Sequence, residues 1–209
     1  GSSSTYLRKM NKKISPMFPL GCVLFPEAIL PLHVFEERYR VMVEEIMDTD
    51  RSFGVVLIEC GNEVGGGEIR KEIGTLAEII DSKKFIDGRS LLVTRGVRRV
   101  QVDSWLEDSP YPKAEISFLD DAPNTSYDFR EWSELVSHMR RVFAVLAELG
   151  DEVPPISIEI SDDPALGSFQ MSSLIPITPF DSQKLLEVTS VTERCGLLKK
   201  FLANIEADS

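Results

Sequence analysis

Cysteine and histidine are scarce in this chain: 209 residues hold three cysteines, Cys22, Cys60 and Cys195, and two histidines, His33 and His138. The cysteines are too far apart in sequence for a C-x-x-C pair, which points to reduced thiols in a cytoplasmic protein, with one long-range bridge left open. Two isolated histidines with no cysteine beside them do not assemble a zinc site, so no metal and no cofactor is expected. Long apolar runs are also missing. Stretches such as Gly54 to Ile58 fall far short of the roughly 20 residues that cross a bilayer, so no membrane span is expected. No basic-then-apolar leader opens the chain, and Gly1 to Thr5 reads as a cloning remnant rather than a signal peptide. The strings G-x-x-x-x-G-K-[ST], G-x-S-x-G and H-E-x-x-H are absent, which leaves phosphate-loop, serine hydrolase and zinc protease readings without an anchor.

Basic charge is in deficit too. Lys and Arg number 23 against 34 Asp and Glu, a net charge of −11. Proteins that grip a phosphate backbone usually carry a basic face, so nucleic acid is disfavoured as a partner and polypeptide favoured. The remaining composition, 43% hydrophobic and 27% charged, is that of an ordinary globular chain large enough to bury a core without disulfides.

Residues 1–13 are polar and basic and read as a mobile tail or remnant. From Ile14 to about Leu119, short apolar runs broken by Gly, Pro, Asp and Asn predict about seven strands, with breaks placed at Phe85–Arg89 and near Gly96. Pro19, Pro26 and Pro31 cannot donate to a ladder and belong at edges. Phe53 to Glu59 reads as a strand buried on both faces. Asp87-Gly88 is a hairpin signal, and residues 60–68, with three successive glycines, read as a mobile loop. One helix interrupts this region: Tyr39, Met42, Val43, Ile46 and Met47 recur with helical spacing, and Glu36 and Glu37 sit in its first turn.

The pattern changes near residues 120–126, so the predicted subdomains are 14–122, β-rich, and 123–209, helical. Phe129, Trp132, Leu135, Val136, Met139, Val142, Phe143, Leu146 and Leu149 predict one helix over about 126–149. Gly150 and Pro154-Pro155 end it. Asp163-Pro164, Pro179 and the Ser190–Glu193 capping box open three more. The carboxylate pairs Asp120-Asp121 and Asp162-Asp163 precede predicted helices, and capping with solvation is preferred for them over acid–base work. Arg95, Arg98 and Arg99 form the only basic cluster of the β region, either an anion or acidic-peptide site or a solvated, ion-paired strand face.

In order along the chain stand Phe18-Pro19-Leu20, Phe25-Pro26, Leu30-Pro31-Leu32 with Phe35-Glu36, Arg38-Tyr39-Arg40, Phe53-Gly54-Val55, Gly74-Thr75, Asp87-Gly88-Arg89 and Gly96 to Arg99. This series over residues 16–119 resembles the Lon N-terminal, or LON substrate-binding, domain family, and Lys184 to Glu187 with Glu193-Arg194 is similar to that family's helical extension. The resemblance implies an α+β fold, a PUA-like β pseudo-barrel with one packed helix, followed by a C-terminal helical bundle. It implies a non-catalytic module that recognises unfolded or exposed apolar polypeptide, an adaptor or chaperone-like accessory in quality control. A partner protease or chaperone and a homo-oligomer are consistent with it. With no ATPase or protease motif in 209 residues, a stand-alone member or a piece of something longer is expected, and a family label of ATP-dependent protease or peptidase does not imply proteolysis by this chain. Phe25, Phe35 and Tyr39 are sized for core, whereas Glu36, Arg38 and Arg99 are charged near an expected barrel rim. The candidate binding residues are therefore Glu36, Arg38, Tyr39, Arg95, Arg98 and Arg99, beside a groove expected between barrel and bundle and an open strand edge. The alternatives are an RNA-binding PUA-like domain and an unrecognised peptidase.

Overall fold

The computed structural model describes residues 12–59, 69–122 and 127–209. Residues 1–11, the 60–68 segment read as a loop, and residues 123–126 lie outside the described residues. Two compact units divide the chain, one ending at Leu119 and one beginning at Asp120.

The first unit contains β1 (Lys12–Leu20), β2 (Ile29–Val34), α1 (Glu37–Met47), β3 (Ser52–Glu59), β4 (Ile69–Lys84), β5 (Ser90–Trp105) and β6 (Lys113–Phe118). The sheet order is β2-β5-β4-β3-β1-β6, and β6 pairs again with β5. Five strands therefore close into a ring, with β2 added outside it on β5. Closure depends on β5 changing neighbours along its length: Ser90 to Arg95 pair with β2, and Val100 to Trp105 with β6. The sequence reading breaks this strand near Gly96. The structure corrects that to one continuous strand, giving six in all among the described residues. The reason is steric. A Cβ on Gly96 would stand 2.2 Å from the Phe25 carbonyl oxygen, so this glycine admits a close backbone approach rather than ending the strand.

A second correction falls at the start. Lys12 and Lys13, assigned to the tail, pair with Ser117 and Ile116 in β1. Lysine suits this stretch because β1 has a single neighbour here, and a charged side chain guards such an edge. Pro19 and Pro31 fall where their strand has a single neighbour, as a missing N–H requires. Asp87-Gly88 lies in the turn joining β4 to β5, with Gly88 at φ 91° and its N–H donating to Phe85 O at 3.0 Å.

Strand alternation splits the core in two. Phe18, Val55 and Ala77 face α1, which buries Tyr39, Met42, Val43 and Ile46 against them. Their neighbours Met17, Val56 and Leu76 face the barrel interior with Val100, Val102 and Ile116. That is why β3 is buried on both faces. Each large apolar side chain so placed contributes about 1.5–3 kcal/mol, an upper estimate.

The second unit holds α2 (Phe129–Glu148), α3 (Pro164–Leu174), α4 (Pro179–Glu187) and α5 (Val191–Asp208). Trp132, Leu135, Met139, Val142, Phe143 and Leu146 bury the expected stripe of α2, while Phe129 and Leu149 at its ends are exposed. Asp163, Thr178 and Ser190 cap α3, α4 and α5, accepting from the N–H of Ala165, Asp181 and Glu193.

Asp121 is not a cap. It accepts from both guanidinium ends of Arg194, at 2.7 and 3.3 Å, and Arg194 is fully buried. The same guanidinium donates to Val188 O at 2.9 Å and Ser168 Oγ at 3.2 Å, and lies 3.8 Å over the Phe169 ring. A bidentate carboxylate, a carbonyl, a hydroxyl and an aromatic face together satisfy a charge that burial alone would expel. Ala122 N–H donates to Thr189 O at 2.7 Å, so residues 120–122 travel with the helices.

Arg194→Met is expected to lower unfolding free energy by about 3–5 kcal/mol, because it removes the bidentate partner of the Asp121 carboxylate. Lys184→Ala, at an exposed ion pair with Asp181, should stay within about 0.5 kcal/mol. Urea melts of both variants check the contrast.

Two buried groups set an alkaline limit. Burial pushes the Cys195 thiol up to about 12, against the opposing pull of Arg194. Burial first, then the Glu45 carboxylate that accepts its hydrogen bond, pushes the Tyr111 phenol up to about 12. The unfolded chain loses these protons earlier, near 9.0 and 10.0. Their stabilising contribution is thus complete below about pH 9 and is lost as pH rises toward 12. Urea midpoints at pH 7.5, 9 and 10.5 should fall in that order, with a shallower fall above pH 9 in Tyr111→Phe.

Candidate functional site

The end of β1, the second half of β2, the start of α1 and Ile58 on β3 enclose a cleft of about 260 Å³. Its position follows from the local sequence. In β2 the side chains alternate, so Leu32 and Val34 point inward while Ile29 and His33 are exposed. Phe35 follows the last β2 residue and leaves its ring 60% exposed, 5.9 Å from the His33 ring. This corrects the core role expected for Phe35: it stands just beyond the strand and just before the helix, where neither element buries it. Phe25 and Tyr39 are buried as expected. Tyr39 stacks on Phe18 with ring centroids 4.1 Å apart, forming a rigid aromatic floor.

Glu36 occupies the position before α1 but makes no capping bond. Its carboxylate accepts instead from Arg38 Nε at 3.2 Å, and the Arg38 guanidinium lies 4.7 Å over the Tyr39 ring. Three of the six candidate residues, Glu36, Arg38 and Tyr39, therefore meet at this cleft. The other three do not join them. Arg95 pairs with Glu27 at 3.2 Å and Glu78 at 3.5 Å. Arg98 covers the Phe118 ring at 4.1 Å. Arg99, expected near a rim, is 3% exposed. Its place in β5 opposite Thr75, itself wholly buried, takes it out of solvent.

The edge of β2 adds main-chain chemistry. Gly96 N–H donates to Ala28 O at 2.9 Å, and Thr94 Oγ1 to Leu30 O at 2.7 Å. Even-numbered positions thus turn their amides toward β5, and Ile29, Pro31 and His33 turn theirs outward. Among the described residues no strand pairs with that outward edge.

Arg38 also walls a second, more open cavity of about 570 Å³, with Arg70, Glu72, Trp105 and Asp108. Arg70 pairs with Asp108 at 3.0 Å and stacks 4.5 Å over Trp105. Sequence reasoning missed these four residues. They lie up to 38 positions apart, and it is the fold that brings Arg70 against Asp108 and Trp105.

Among the described residues, the lining of the smaller cleft carries aromatic and aliphatic surface, one imidazole and one clamped Glu–Arg pair, and no serine, threonine, cysteine or lysine. Among the described residues, no three His, Cys, Asp or Glu side chains gather as metal ligands, and no helix is long and apolar enough to cross a membrane.

A closed five-strand barrel with one helix packed on it, followed by a helical unit, defines an α+β module of the PUA-like pseudo-barrel kind. The sequence profile described as the ATP-dependent protease La (LON) substrate-binding domain matches residues 14–204, and the chain belongs to that family. It is 26% identical to a LON peptidase N-terminal domain and RING finger protein of Schizosaccharomyces pombe, over 91% of this chain and 45% of that protein. It is 26% identical to the Lon protease of Escherichia coli K12, over 92% of this chain and 24% of that protein. The chain thus spans less than half the length of these curated relatives. Among solved structures, a Lon N-terminal domain protein from Xanthomonas campestris superposes with a TM-score of 0.68 at 27% identity, over 91% of this chain and 98% of that one. The N-terminal domain of a Mycobacterium avium complex Lon protease shares the fold, with a TM-score of 0.60 at 17% identity over 91% of this chain and 98% of that one.

Arg99→Glu is expected to cost several kcal/mol of stability, as a buried carboxylate replaces a buried guanidinium (about 3–5 kcal/mol). Arg38→Glu, at a side chain 37% exposed, should change the melting temperature little. Thermal melts of the two variants side by side test the placement.

Proposed function

We propose that this chain is a non-catalytic recognition module that captures extended, apolar segments of polypeptide. The observation that carries the reading is the cleft floored by Phe18 and Tyr39 beside the outward edge of β2. An extended segment lies along that edge and exchanges main-chain hydrogen bonds with Ile29 and His33, while one apolar side chain enters the cleft. Pro31, lacking an N–H, offers only its carbonyl there, so the edge grips at two separated points and does not seed open-ended sheet growth. Exposed Phe35 closes over the incoming side chain. Membership of the LON substrate-binding family supports the same reading.

In this reading the module is an adaptor or chaperone-like accessory in protein quality control, working with a separate protease or chaperone. A cytoplasmic setting suits its sparse cysteines. Most of the binding free energy comes from apolar burial, at roughly 25 cal/mol per Å² before association costs are subtracted.

Calorimetry with an unfolded, apolar model peptide should therefore show weak binding with a negative heat-capacity change and little salt dependence. Phe35→Ala should weaken it about tenfold with an unchanged melting temperature, since the ring is exposed in the free protein. Unfolded casein incubated with the purified chain should stay intact with or without ATP. No binding at millimolar peptide, or cleavage that scales with chain concentration, would reject the reading.

A further inference from the structure

The apolar cleft and the more open cavity lie side by side, with Arg38 a wall of both. The sheet runs on between them: Ile58, which lines the cleft, sits opposite Arg70 in the β3–β4 ladder. Arg70 and Glu72 are two apart on β4 and share one face of the strand. The charges of the second cavity are largely committed. Arg38 is held by Glu36 at 3.2 Å, and Arg70 by Asp108 at 3.0 Å with its flat face on Trp105. Glu72 is exposed and has no hydrogen bond or ion pair among the described residues. Among the described residues that line the two adjoining cavities, Glu72 is thus an uncommitted negative charge.

The charge of the whole chain does not produce this feature. Residues 1–119 carry 16 Lys and Arg against 18 Asp and Glu, so the unit holding the groove is close to neutral and the preference must be local. A cation placed over Glu72 meets a carboxylate without displacing either arginine, and its aliphatic stem covers the Trp105 edge. A carboxylate placed there meets Glu72 at short range and finds both guanidinium groups already engaged.

We infer that the groove selects polypeptide segments in which a lysine or arginine stands next to the apolar residue, the apolar side chain filling the cleft and the cation reaching Glu72. The inference rests on the cleft being a polypeptide site, and it adds the chemistry of the neighbouring position. The contact is solvent-exposed, so it tunes selection and does not drive affinity.

The test uses three end-blocked peptides with a Leu-Phe-Leu core in Gly-Ser flanks, carrying Lys, Gln or Glu immediately beyond the core on both sides. Affinities are measured for the full chain and for Glu72→Gln. The Lys peptide should bind about two- to fivefold tighter than the Gln peptide, and the Glu peptide weakest. In Glu72→Gln the Lys advantage should vanish, while the Gln peptide binds as before and so reports an intact cleft. In the unsubstituted chain, raising salt from 0.1 to 1 M should also erase the advantage, as the screening length falls from about 10 to about 3 Å. A Glu peptide equal to or better than the Lys peptide, or a Lys advantage that survives Glu72→Gln, overturns the inference. Equal binding of all three overturns it while leaving the cleft as a peptide site. No binding by any of them removes both.

Discussion

β5 is sixteen residues long; β4 lines one edge of it from Ser90 to Gln101, and no single strand lines the other. Its first half is claimed by β2 and its second by β6, and the exchange falls at Gly96, where the Phe25–Pro26 backbone crosses too closely for any side chain. The rest of the barrel unit follows from that exchange. β6 can close the ring with β1 because β2 has left the second half of β5 free. β2, displaced to the outside of the ring, keeps one edge without a partner strand. The same displacement sets Leu32 and Val34 against α1 and leaves Phe35 at the exit, so the cleft follows from how the barrel closes.

The helical unit depends on a different kind of constraint, a buried charge. Arg194 on α5 touches Asp121, Ser168 on α3, Phe169 and the end of α4 at Val188. A hydrophobic residue there could pack, but it would not dictate which helices meet. A guanidinium with five donors accepts few arrangements of its neighbours, and leaving one donor unmet in the interior is expensive. The arginine therefore fixes the mutual placement of three helices and of the residues leading into them.

In the proposed function, recognition by the barrel unit would combine rigid and adjustable parts. The Phe18–Tyr39 stack and the clamped Glu36–Arg38 pair are set before any ligand arrives, which limits the ordering entropy lost on binding. Phe35 and His33 are exposed, and their rotamers remain free to adapt. In that proposal the cleft's volume of about 260 Å³ suits one side chain at a time, which leaves selectivity to the neighbouring positions along the segment.

The sequence by itself determined the parts governed by local rules. Spacing of Tyr39, Met42, Val43 and Ile46 made α1, the stripe from Trp132 to Leu146 made α2, and Asp163, Ser190 and Asp87-Gly88 marked caps and a turn. These depend on residues a few positions apart, whose geometry is fixed by the backbone period. The family series from Phe18 to Arg99 was legible for the same reason, as an ordered set of short motifs. Tertiary structure alone decided what depends on partners distant in sequence. It turned Asp121 from a presumptive cap into the mate of Arg194, 73 residues away. It buried Arg99, and it carried β5 through Gly96. It separated Arg95 and Arg98 from Glu36 and Arg38, and gathered Arg70, Glu72, Trp105 and Asp108 beside them. Whether a charged or aromatic side chain meets water depends on which strand lies across from it, and a one-dimensional pattern does not contain that information.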